Sequence, residues 1–106
     1  MYDDSQLKKI AQCYGVNNQI NQAVEEMAEL IQALNKYRRI ANNRVDLTKA
    51  RDHVTEEIAD VEIMLSQLKV LLDIDPRKVE DIEEAKIDRE LARVKFKYGG
   101  AIQWDS

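Results

Sequence analysis

In the stretch NNQINQAVEEMAELIQAL, large apolar side chains recur at Ile20, Val24, Met27, Ile31 and Leu34. Steps of four and three gather them onto one side of an α-helix. The spacing predicts a helix capped by Asn17 or Asn18 that runs to about Arg39, before the loop-prone Asn42-Asn43 pair. The same rhythm returns at Val54, Ile58, Val61, Leu65, Leu68 and Leu72, so a second long helix is expected to start near Asp46 or Thr48. Both stripes read as core. From Met64 to Leu72 the chain is apolar on more than one side, which calls for more than one neighbour and favours an oligomer. Shorter elements flank this pair. Leu7, Ile10 and Ala11 share a face of a first helix, with Asp3, Asp4 or Ser5 as its cap and Gly15 as its stop. Asp75 followed by Pro76 is a start signal for the last helix, which should end near Gly99-Gly100. The expected fold is all-α: one domain over residues 1–106, bundle-like with four helices. Its two long helices pack antiparallel, oligomerisation completes the core, and residues 99–106 form a short tail in which Ile102 and Trp104 can pack on a neighbour.

Composition agrees with helices and narrows the function. The 106 residues include only three Gly and one Pro, and 44% are apolar, as in helical bundles. A net charge of −4 offers no electrostatic reason to bind a nucleic-acid polymer, whose non-specific affinity comes from clustered Lys and Arg. Cys13 stands alone, so it forms no intramolecular disulfide, and its neighbours suggest no redox or zinc motif; it reads as a packing residue. The start, MYDDSQLKK, lacks a basic segment followed by an apolar one, and no run approaches the ~20 apolar residues needed to span a bilayer. A cytoplasmic protein without a membrane partner is expected.

One repeat does carry chemistry. VEEMAELIQAL at 24–34 is echoed by TEEIADVEIML at 55–65, so that Glu25, Glu26 and Glu29 answer to Glu56, Glu57 and Asp60. At about 100° per residue, Gln22, Glu26, Glu29 and Ala33 fall in one stripe of the first long helix, beside the apolar one. His53, Glu57, Asp60 and Met64 form the matching stripe of the second. No basic residue four positions on relieves Glu25 or Glu26, and close like charges on a helix cost roughly 0.2 to 0.5 kcal/mol per pair. Facing one another, such carboxylates need a cation. All-oxygen ligands suit Mg²⁺, with Mn²⁺ as a substitute, and suit zinc poorly. The single His53 does not follow a Glu by three residues, so a di-iron bundle is disfavoured. Magnesium held by a few carboxylates keeps positions for substrate phosphates. Lys86, Arg89 and Arg93 share a stripe of the last helix and supply cations for the remaining phosphate oxygens, although Glu83 and Glu90 on the same helix offer them ordinary surface pairing.

These residues resemble a known family. EExxE at Glu25, Glu26 and Glu29, followed by ExxD at Glu57 and Asp60, is similar to the signature of the MazG-like all-α nucleoside triphosphate pyrophosphohydrolases, in particular their short single-domain phage and prophage forms. The likeness extends from YGVNNQINQAVEEMAELIQAL through EEIADVEIMLSQL to KIDRELARV. It implies that Glu26, Glu29, Glu57 and Asp60 bind magnesium, and that the reaction cleaves a nucleoside triphosphate between its α and β phosphates to give a monophosphate and pyrophosphate. It also implies a homodimer or homotetramer, with Lys86, Arg89 and Arg93 at the phosphates. Some members carry an asparagine in the turn after the lysine, where this chain has Glu90. Glu25, at the edge of the ligand stripe, is the candidate for orienting or deprotonating the attacking water, with structural pairing as the alternative. Gln22 and Gln19 are placed to contact the base, and Tyr37, Phe96 and Trp104 are possible stacking groups. Two other readings stay open: a non-catalytic oligomeric helical interaction module, and a superfamily relative acting on phosphoribosyl-ATP or dUTP.

Overall fold

A computed structural model describes residues 3–40 and 44–98. Asn42-Asn43, Gly99-Gly100, Ile102, Trp104 and the tail at 99–106 lie outside the described residues. The protein is all-α, with helices α1 (Asp4–Tyr14), α2 (Val16–Arg39), α3 (Arg44–Leu71) and α4 (Pro76–Tyr98), and no strand among the described residues. No described helix is long and apolar enough to cross a membrane. The chain divides into two compact units, residues 1–73 and residues 74–106.

Local chemistry sets the helix ends. Asp3 caps α1 through a capping box: its Oδ1 accepts from the Gln6 N–H at 2.9 Å, while Gln6 Oε1 accepts from the Asp3 N–H at 2.8 Å. Gly15 both ends α1 and begins α2. It takes φ 85°, a value that L side chains rarely adopt, and donates to the Ala11 carbonyl at 2.7 Å while accepting from the Gln19 N–H at 3.0 Å. Because one residue makes this turn, α2 starts earlier than the asparagines suggest. Asn17 and Asn18 lie inside its first turn, and Asn18 Nδ2 donates back to the Tyr14 carbonyl at 2.7 Å instead of capping. Asp73, at φ 52°, closes α3. Asp75 then caps α4, its Oδ1 accepting from the Arg77 N–H at 2.9 Å.

Within the first unit α2 and α3 are antiparallel. Lys36 and Ile40 of α2 meet Lys49 and Ala50 near the start of α3, while Gln19 and Gln22 meet Met64 and Gln67 near its end. α1 packs on both helices through Leu7 and Ala11. The seam follows the predicted apolar stripes only in part: Val61 is buried, and Ile20, Val54 and Leu68 are half-buried. Its buried residues are Gln19, Ala23 and Ala33 on α2, and Ala50, Glu57, Val61, Met64 and Gln67 on α3. The expected α2 stripe faces outward instead, with Val24 and Ile31 each 59% exposed and Leu34 47% exposed. Ile58 and Leu65 of α3, and Leu72 just past its end, are exposed as well. The reason is steric: alanines at 23, 33 and 50 let the two backbones approach closely, which large side chains would prevent. Cys13 is likewise exposed rather than packed, because it lies on the side of α1 away from Leu7 and Ala11.

The exposed stripes stand one residue after the seam positions on each helix. A step of about 100° on antiparallel axes turns both stripes to the same side of the hairpin. Residues one position before the seam, among them Gln22, Lys49 and Asp60, turn to the other side, as does Lys36 three positions after Ala33. The hairpin therefore has an apolar face and a polar face.

Candidate metal centre

The polar face carries the acidic cluster near its middle. Glu26 from α2 and Glu57 and Asp60 from α3 each bring a carboxylate oxygen to within 4.8 Å of the others. The arrangement follows from helix geometry. Positions 57 and 60 lie a turn apart on one side of α3, and the close approach across the alanine seam brings Glu26 opposite them. Glu57 is only 8% exposed. Its Oε2 and the Oε2 of Glu26 are buried with no hydrogen-bond partner among the described residues. A buried carboxylate oxygen left unsatisfied costs about 1 to 3 kcal/mol or more. Unit charges about 4 Å apart repel by roughly 4 kcal/mol at an effective dielectric near 20. A cation between the three carboxylates relieves both penalties.

The other oxygens of these two side chains are held. Gln22 Nε2 donates to Glu26 Oε1 at 2.8 Å, fixing that carboxylate from one turn away. His53 Nε2 lies 3.3 Å from Glu57 Oε1, also one turn away on its own helix. Each of these two acids thus has one oxygen tied to a neighbour and the other buried, the pattern that outer partners impose on metal ligands. The Gln22 hydrogen bond is the largest single influence on the Glu26 carboxyl and pulls its pKa down; partial burial, the charges of Glu29 and Asp60, and a hydrogen bond shared with Glu29 together outweigh it. The net result lies above the ordinary glutamate value. Three oxygen ligands without sulfur form a hard donor set, which fits magnesium or manganese.

Of the residues expected at the site, Glu26, Glu57 and Asp60 come together with Gln22 beside them. Glu29 stands one turn further along α2, exposed and outside that group, although Glu26 feels its charge. Glu25 is exposed on α2. Lys86, Arg89 and Arg93 do share one side of α4, where with Glu90 they line a shallow depression of ≈ 210 Å³ in the second unit. Arg93 Nη1 donates to Glu90 Oε1 at 2.6 Å, so Arg93 has the surface partner that its own helix offers. Among the described residues Lys86 and Arg89 make no ion pair. Phe96 is 95% exposed and Tyr37 half-buried.

Two concavities flank the cluster along the hairpin. One, of ≈ 460 Å³, is lined by the amides Asn18, Gln19, Gln22 and Gln67, with Ile10, Tyr14 and Met64 completing the wall. The other, of ≈ 410 Å³, is lined by Lys36, Lys49 and His53 together with Ile40, Asp46 and Ala50. Sequence reading passed over Gln67, although a signal was present: Glu57, Asp60, Met64 and Gln67 continue one stripe in steps of three and four, and Gln67 is an amide inside the apolar run MLSQLKVLL. No protein-family model, curated protein or solved structure matches the chain.

Proposed function

We propose that the protein is a magnesium-dependent nucleoside triphosphate pyrophosphohydrolase of the MazG-like all-α type. It takes a ribo- or deoxyribonucleoside triphosphate, consumes one water, breaks the bond between the α and β phosphates, and yields a nucleoside monophosphate and pyrophosphate. The observation that supports this reading most is the convergence of Glu26, Glu57 and Asp60, with buried oxygens of Glu26 and Glu57 that have no hydrogen-bond partner among the described residues. Bound magnesium supplies charge neutralisation on phosphate oxygens and a lowered pKa for water.

The chain's own residues do the rest. Glu26, Glu57 and Asp60 hold the cation, and Glu29 joins them by a side-chain rotation within its turn. Gln22 and His53 keep the Glu26 and Glu57 carboxylates oriented from their outer oxygens. Glu25 orients the attacking water or takes its proton. The family resemblance adds Lys86, Arg89 and Arg93 as candidates for phosphate oxygens that the cation leaves free. Catalysis then comes mostly from positioning and charge complementarity. A homodimer or homotetramer assembles through the apolar face of the hairpin, since Val24, Ile31, Leu34, Ile58 and Leu65 are all exposed in a single chain.

That same face favours a second reading, an interaction module that associates through α2 and α3 without catalysis. Pyrophosphate release from a panel of nucleoside triphosphates, with and without magnesium, separates the two. Release that depends on magnesium and is lost in Asp60→Asn supports the hydrolase; no release from any nucleotide, with a melting temperature indifferent to magnesium, supports the module.

A further inference from the structure

The amide-lined pocket lies next to the acidic cluster: Gln22 lines it and also donates to Glu26 at 2.8 Å. None of its lining residues is charged, so it offers nothing to a phosphate. It offers instead what a flat, neutral, polar-edged group requires. Met64 and Ile10 give apolar surface, Tyr14 is a half-exposed aromatic ring at 64% accessibility, and the amides supply adjacent donors and acceptors. Gln67 sets this pocket apart from an ordinary surface hollow. It is 3% exposed, and its Oε1 has no hydrogen-bond partner among the described residues. Buried acceptors are almost always paired, and an exception calls for a missing partner. At the opposite end of the polar face the lining carries two lysines, Lys36 and Lys49, with His53 and one acid, Asp46, beside them. The carboxylates therefore lie between a neutral pocket and a basic one. A nucleoside triphosphate has the same polarity, one neutral end and one anionic end, and fits in a single direction.

We infer that the amide pocket receives the nucleoside and that Gln67 reads the edge of the base, while the terminal phosphates extend toward Lys36, Lys49 and His53. This rests on the hydrolase reading above. Rotation about the last side-chain bond of Gln67 turns its amide edge toward the pocket, and its oxygen and nitrogen together match an acceptor and donor side by side on a base.

The test has a binding arm and a kinetic arm. In the first, AMP, CMP, GMP and UMP are titrated into metal-free wild-type protein by NMR. One monophosphate should bind more tightly than the others and shift the Gln67 side-chain amide signals; a bound nucleotide that leaves those signals unmoved overturns the assignment. In the second, kcat/KM is measured across the four triphosphates for wild type and Gln67→Met, a near-isosteric change that removes the orphan acceptor. The variant should lose about tenfold or more on the preferred nucleotide and much less on the others, while its ligand-free melting temperature holds or rises. Equal losses on all nucleotides together with a lower melting temperature would mark Gln67 as structural and sink the inference. Magnesium-dependent hydrolysis with unchanged preference in Gln67→Met leaves the hydrolase standing and removes the pocket. Gln67-dependent binding of a monophosphate without hydrolysis of any triphosphate keeps the pocket and removes the hydrolase.

Discussion

The two faces of the α2–α3 hairpin are built from the same helices and share nothing chemically. On one, Gln22, Glu26, Asp60, Lys36, Lys49 and His53 form a polar cluster with a concavity at either end, above a seam in which Ala23, Ala33 and Ala50 are buried. On the other, Val24, Ile31, Leu34, Ile58, Leu65 and Leu72 stand exposed. On α2 the buried apolar residues are alanines, and most of the large apolar side chains stay outside. Close backbone approach brings carboxylates of different helices within 4.8 Å of one another, an approach that a leucine seam would hold apart. The cost is a core with few large buried side chains within the chain, Leu7, Val61 and Met64 among the described residues. The unburied apolar area is what the proposed assembly would cover, since fully burying a Val, Leu or Ile is worth about 1.5 to 3 kcal/mol.

The polar face is broken most sharply at its acids. Glu57→Gln and Asp60→Asn should each lower magnesium-dependent turnover by more than the roughly 10- to 100-fold typical of losing an outer partner of a ligand. Their metal-free melting temperatures should hold or rise, because each removes a crowded negative charge. Wild-type protein should gain roughly 2.7 kcal/mol at a magnesium concentration one hundred times Kd, and the variants less. Retained turnover in either variant removes that residue from the site.

The apolar face predicts the next largest effect. Ile31→Glu should convert an assembled protein to monomer in light scattering. In a two-fold interface the substitution acts twice, weakening association by roughly 3 kcal/mol or more, about a hundredfold in Kd. A wild-type chain that is already monomeric at micromolar concentration would contradict the assembly. Ile31→Glu that assembles as wild type would instead place the interface elsewhere.

Much of this was legible in the sequence, and the misses share one physical origin. Three helix ends were readable from a specific backbone need: Asp3 as one of three candidate caps, Gly15 for a positive φ, and Asp75 before Pro76. Glu26, Glu57 and Asp60 could be picked out because no Lys or Arg follows any of them by four positions, whereas Glu29, expected beside them, stands outside their group. The choice of seam was not. Periodicity identifies an apolar stripe by the size of its side chains, yet alanine adds little to that signal and decides how near two helices come. Gln67 was hidden for a related reason, since a single amide in MLSQLKVLL reads as a pause in a core and not as the floor of a pocket.

A smaller effect is expected from the second unit. Lys86→Ala and Arg89→Ala should raise KM or lower kcat by about tenfold each, in line with a lost charge-assisted hydrogen bond of about 1.5 to 3 kcal/mol that is partly replaced by water. Magnesium-induced stabilisation should be unchanged. Arg93→Ala should cost less, because Glu90 already holds that guanidinium at 2.6 Å. Kinetics unaltered in all three variants would return these residues to ordinary surface pairing.

The smallest effect concerns Glu26 in chelator-treated protein. Its carboxyl is lowered by the Gln22 hydrogen bond, then raised by a larger combined effect of partial burial and the neighbouring Glu29 and Asp60, so the folded value lies above the ordinary one. Between those two values the folded chain holds more of the proton than the unfolded chain does, and stability must fall as pH rises through that window. The contribution is fully present below the unfolded value and gone above the folded one. Glu26→Gln has no such proton to lose, so its metal-free unfolding midpoint should decline less with rising pH across that interval than the wild-type midpoint. Denaturant titrations of both proteins at several pH values supply the two slopes. Parallel slopes would mean that Glu26 does not sense its acidic neighbours, and the crowding on which the cation argument rests would lose its thermodynamic signature.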